Sequence, residues 1–125
     1  MIGHLKLEHV SFSPGDQYNS CSVNNSVIRR LINFCEQARE RGAAALISFP
    51  SISHARYNID KQCNDNIAKI LALELKPYVI SESNQYVFDD ALFFDTYYHL
   101  NSAGRDQRTD RLIHDLNSAR SRGLL

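Results

Sequence analysis

Two short apolar runs constrain the fold of this 125-residue chain more than any other feature. Ala43-Ala44-Ala45-Leu46-Ile47-Ser48-Phe49 is closed by Pro50, and Tyr78-Val79-Ile80-Ser81 follows Pro77. Each is too short for a stable helix and lacks polar alternation, which fits a strand buried on both faces of a parallel sheet. Amphipathic patterns surround them. The first sets Val27, Ile28, Leu31, Ile32, Cys35 and Ala38 at three- and four-residue steps, with Asn24 or Asn25 as cap and Gly42 as stop. The second runs from about Asn58 to Lys76, with Ile59, Cys63, Ile67, Ile70, Leu71 and Leu75 on one stripe. The third begins after Asn101 and points Leu112, Ile113 and Leu116 inward, leaving a frayed tail over 118–125. Helices alternating with buried strands imply right-handed crossovers. The pattern predicts one α/β domain over 1–125, three layers deep, with a short parallel sheet flanked by helices as in flavodoxin-like folds. Residues 4–12 offer only a weak third strand.

Composition narrows the function classes. Fourteen basic and fourteen acidic side chains cancel, so no electrostatic footprint points to a nucleic acid or an anionic membrane. No apolar run approaches the roughly 20 residues of a membrane span. The opening Met1-Ile2-Gly3-His4-Leu5-Lys6 lacks the pattern of a signal peptide, and the chain as it stands reads as cytoplasmic. Cys21, Cys35 and Cys63 form no C-x-x-C pair, so neither a zinc site nor a disulfide framework is indicated. Cys35 and Cys63 fall on apolar helix faces and read as buried thiols. His4 and His9 have no third ligand, so no metal or other cofactor is expected.

In open α/β sheets, sites gather at the carboxyl ends of the strands. Three segments fit that place: Pro50-Ser51-Ile52-Ser53-His54, Glu82-Ser83-Asn84, and Asp95 to Asn101. In the last, His99 stands four residues after Asp95, just before a helix that Asn101 or Ser102 can cap. Asp95 can orient one ring nitrogen of His99 and leave the other as a general base. The same spacing also suits a turn capped by Asp95 with His99 as an ordinary loop residue. His54, Tyr98 and Asn101 are candidate cleft-lining residues, with Arg56 beside them. Arg105, Arg108 and Arg111, with Asp106 and Asp110, lie on the last helix, where the first turn could bind an anion and an exposed charged face explains them equally well.

Phe94-Asp95-Thr96-Tyr97-Tyr98-His99-Leu100-Asn101-Ser102-Ala103-Gly104 resembles the last sequence block of the SGNH (GDSL-type) hydrolases. There an Asp-x-x-His leads into an Asn and a Gly, and the strand Leu46-Ile47-Ser48-Phe49-Pro50 is also similar. The likeness spans roughly residues 43–116. It implies a Ser–His–Asp triad with His99 as base and Asp95 as its orienting acid, Asp90 and Asp89 standing in reserve. It implies a small acyl ester or acylated sugar as substrate. Here Asp95 and His99 are one residue further apart than in that block. Neither a G-D-S nucleophile block nor a G-x-N-D oxyanion block occurs, and Gly15-Asp16-Gln17 puts a glutamine where a nucleophile belongs. Ser51 is the first substitute among Ser48, Ser51, Ser53, Ser81 and Ser83, none of which lies in a G-x-S-x-G elbow.

The expectation is a partial SGNH-like ester hydrolase or acyltransferase domain, corresponding to the C-terminal part of such a fold and inactive alone. Its nucleophile-bearing half would lie elsewhere. A non-catalytic binding or assembly module, or a small hydrolase using Asp95 and His99 with water, are the alternatives. A sheet of so few strands leaves an open edge, which predicts a homo-oligomer, most simply a homodimer.

Overall fold

Asn24 opens the first helix, its side-chain oxygen accepting the Ser26 N–H at 2.9 Å. That satisfies one of the donors a helix start leaves without an internal partner. Helix α1 spans Asn25–Glu40 and ends at Arg41. Gly42 then takes φ +81°, a left-handed conformation that other residues adopt only with strain. The fold is seen in a computed structural model that describes residues 22–125. The weak strand at 4–12, His4, His9 and Cys21 fall outside the described residues.

The two apolar runs do pair in parallel, but only at a single bridge between Ile47 and Val79. Ile47 N–H donates to Tyr78 O at 2.8 Å, and Ile80 N–H to Ile47 O at 3.0 Å. The regular ladder lies further along both runs. There β1 (Ile52–Ser53) pairs in parallel with β2 (Val87–Phe88), Ile52 opposite Val87 and Ser53 opposite Phe88. Pro50, which has no N–H to donate, separates bridge from ladder on one side. On the other side a 3-10 turn over Ser83–Tyr86 does so. The expected burial holds better in the second run, where Tyr78 and Ile80 are buried, than in the first, where Ala43 and Ala44 are exposed and residues 45–49 half-buried.

The second helical pattern starts earlier than its apolar stripe predicts, and it is broken. Ser53 accepts the Arg56 N–H at 3.2 Å and so caps α2 (His54–Ile59). Asp60 ends α2 and precedes α3 (Lys61–Glu74). The buried Arg56 guanidinium reaches the Asp60 carboxylate at 2.7 Å and fixes that corner. The last helix, α4, spans Ser102–Ser121. It runs past Ser118 into the segment expected to fray, because Ala119 is fully buried. Ile113, expected inside, is exposed.

Two apolar clusters hold these elements. Ile28, Cys35, Leu75 and Tyr78 form one, with Ile47, Leu71 and Val79 against it. Tyr86, Phe88 and Phe93 form the other, with Phe49, Leu92 and Leu100. Burial pushes the Cys35 thiol up, away from reactivity. Cys63, read as a free thiol, is half-buried and disulfide-bonded. The chain is thus a helix-rich α/β fold with a short parallel sheet. Among the described residues no helix is long and apolar enough to cross a membrane.

Candidate functional site

The chain from Leu92 to Asn101 folds back on itself as a short hairpin. Asn101 N–H donates to Leu92 O at 2.8 Å, Phe93 bridges Leu100 antiparallel, and Phe94 N–H donates to His99 O at 2.8 Å. Phe93 is buried in the aromatic cluster. Side chains reverse from one residue to the next along an extended chain, which puts Phe94 and His99 on the outer face. The tip is closed by Thr96, whose hydroxyl accepts the N–H of His99 at 3.2 Å and of Tyr98 at 3.3 Å. It docks on the sheet where Ser53 N–H donates to Tyr97 O at 2.9 Å.

This turn brings Asp95 and His99 together. Asp95 Oδ1 lies 2.8 Å from His99 Nδ1 despite the extra residue between them, because Thr96 tightens the loop. A carboxylate only accepts, so the neutral imidazole keeping this bond carries its proton on Nδ1 and a lone pair on Nε2. His99 is 68% and Asp95 52% exposed at their side chains, so solvent screens the pair and its value is positional. Asn101 sets the loop against α4. Its Oδ1 accepts the Gly104 N–H at 3.0 Å, and its Nδ2 donates to Ala91 O at 2.8 Å.

The other candidates are placed differently. Asp90 Oδ1 accepts the Ala55 N–H at 2.9 Å at the start of α2, and Asp89 Oδ1 accepts the Ala91 N–H at 2.9 Å. Both reserve acids therefore stabilise backbone turns. Ser51 is buried, and among the described residues its hydroxyl has no hydrogen-bond partner. It makes no hydrogen bond to His99. His54 lies exposed at the head of α2, its Nδ1 3.4 Å from Asn58 Nδ2. Arg56, expected at the cleft, is buried against Asp60. Tyr98 is exposed beside His99.

One polar group escaped the sequence reading. The Tyr86 hydroxyl, on a fully buried side chain, donates to Asp115 Oδ2 at 2.7 Å. Burial pushes the Tyr86 hydroxyl up, which keeps it protonated and donating at neutral pH. Arg108 and Arg111, expected on an exposed charged face, are half-buried and exposed respectively, and their guanidinium groups lie over the Tyr86 and Phe88 rings at 5.6 and 4.5 Å. The missed signal was Asp115 itself, a carboxylate at a position shared with Leu112, Leu116 and Ala119 on the inner face of α4.

Among the described residues no group of three or more His, Cys, Asp or Glu side chains could hold a metal ion. Chemically, the hairpin offers an oriented base with an open Nε2. It places no described hydroxyl in hydrogen-bond contact with that nitrogen. No family model, curated protein or solved structure matches this chain.

Proposed function

We propose that this chain carries the acid–base pair of an SGNH-like ester hydrolase or acyltransferase, inactive alone, whose serine is presented by another segment or chain. The 2.8 Å contact between Asp95 and His99, with the far ring nitrogen open, carries this reading. The resemblance of the 94–104 block supports it, and so does the loop's seat on the sheet through Ser53 and Tyr97. In this reading the domain is the helix-flanked, three-layer part of that fold, and the substrate is a small acyl ester or acylated sugar. His99 Nε2 takes the serine proton as the hydroxyl attacks the acyl carbon, and Asp95 stabilises the imidazolium. The proton then passes to the leaving alkoxide. Oxyanion donors must come with the serine, since their loss alone costs roughly 10²–10³ in rate.

The isolated chain is expected to stay unlabelled by a fluorophosphonate and to hydrolyse p-nitrophenyl acetate no faster than His99→Ala. In the native assembly, a photocrosslinker in place of Tyr98 should reach the polypeptide that bears a fluorophosphonate-reactive serine. Labelling of a serine in the isolated chain, abolished by His99→Ala, would place a whole triad here and overturn the proposal. So would crosslinked partners without a reactive serine.

A specific observation also favours an assembly role. Val27, Leu31 and Phe34 stand at helical spacing on α1 and are exposed, and exposed apolar stripes mark association surfaces. On this reading the chain is a homodimer. Light scattering at micromolar concentration should give twice the chain mass, falling to one for Phe34→Glu; a wild-type monomer contradicts it.

A further inference from the structure

We propose that the cavity between the Ser83–Tyr86 turn and α4 binds a small α-amino acid, its ammonium against Asp115 and its carboxylate against Arg111. The cavity has a volume of about 380 Å³ and is lined by Asn84, Gln85, Val87, Arg111, His114 and Asp115. That size falls within the range of small-molecule sites. It is distinct from the Asp95–His99 hairpin, none of whose residues lines it.

Charge placement identifies the ligand. Arg111 and Asp115 stand one helical turn apart on α4, a spacing at which opposite charges usually meet. Among the described residues they form no ion pair with one another. Arg111 Nη1 is drawn away to Gln85 O, and its guanidinium lies over the Phe88 ring at 4.5 Å. Asp115 has an anchor of its own, its Oδ2 accepting from Tyr86. A cation and an anion are thus held apart by separate anchors, at the wall of one cavity.

Each retains binding capacity. Arg111 is fixed through one N–H and has four others, in a planar array suited to a carboxylate. Asp115 is only 6% exposed. Its Oδ1 lies 3.6 Å from His114 Nδ1, beyond hydrogen-bond reach. Asp115 accepts one neutral donor, from Tyr86, and an ammonium would add charged donors, which form the stronger hydrogen bonds to a carboxylate. Asn84 and Gln85 add amide groups at the rim. A ligand carrying only one charge would leave one of the two anchored groups without its counterion.

Titration of the full chain with L-alanine, followed by amide and imidazole NMR shifts, tests this. Alaninamide, which lacks the carboxylate, and propionate, which lacks the ammonium, are the comparison probes. L-alanine is expected to shift the signals of Asn84, Gln85 and His114 and to saturate, with each comparison probe at least about tenfold weaker. Arg111→Gln, which leaves the Tyr86–Asp115 bond intact, should weaken L-alanine about tenfold and leave alaninamide unchanged. No saturable shift with L-alanine overturns the proposal. So does equal binding of propionate or alaninamide, or an Arg111→Gln chain that binds all three as the wild type does.

Discussion

Tyr86→Ala is expected to abolish the cooperative folding of this chain or leave it barely folded at room temperature. Tyr86 is fully buried, packs edge-on to Phe88 with ring centroids 6.4 Å apart, and donates to the buried Asp115. Removing the ring costs about 3–5 kcal/mol as a large-to-small core change. Stranding the Asp115 carboxylate adds about 1–3 kcal/mol. Domains of this size have only about 5–15 kcal/mol in total. Tyr86→Phe separates the two costs, since it keeps the ring and loses only the donor, and it should lower stability by about 1–3 kcal/mol. Urea unfolding followed by circular dichroism measures both. A Tyr86→Ala midpoint close to wild type would show that the aromatic cluster does not organise the sheet end of the fold.

Gly104→Ala should also destabilise the chain, against the preference of an isolated helix. Host peptides favour alanine over glycine inside a helix by about 1 kcal/mol. At position 104, however, a Cβ would meet Leu92 O at 2.5 Å and Leu100 Cδ2 at 2.9 Å. Leu92 and Leu100 stand on the two legs of the hairpin that carries Asp95 and His99. Leu92 O is moreover the acceptor of the Asn101 N–H, so it cannot retreat without opening the hairpin base. Overpacking of this kind costs about 1–3 kcal/mol, which exceeds the gain in helix propensity. The expected outcome is a lower urea midpoint together with shifted amide signals across 92–101. A stabilised Gly104→Ala chain would mean that α4 and the hairpin are not in contact there.

The same glycine shows how far the sequence could be read. Asn101 as a helix cap was legible because capping chemistry is local, whereas the close approach at Gly104 depends on where the hairpin packs. The pairing of Asp95 with His99 was legible too, although the turn that permits it depends on the Thr96 hydroxyl. The helix over 25–40 followed from its apolar spacing and its capping residues. Non-local choices were hidden. That the ladder forms at Ile52–Ser53 rather than in the more apolar 43–49 run is settled by where Phe88 and Tyr97 arrive. Asp90 had the composition of a catalytic reserve and the position of a cap for α2, which only the fold reveals. The position of Asp115 on the apolar face of α4 marks it as unusual, but its partner Tyr86, 29 residues away, only the fold reveals. Ser51, likewise, lies near the sheet end as expected, but burial rather than chemistry accounts for its place.

The proposed role of His99 as an oriented base makes a definite demand on one imidazole, and long-range 15N–1H correlation spectra of the neutral histidine rings read it. His99 is expected to be held with its proton on Nδ1 and its Nε2 unprotonated, and Asp95→Ala to return it to the Nε2–H form usual for a free ring. A wild-type His99 already in the Nε2–H form, or one unaffected by Asp95→Ala, would contradict it.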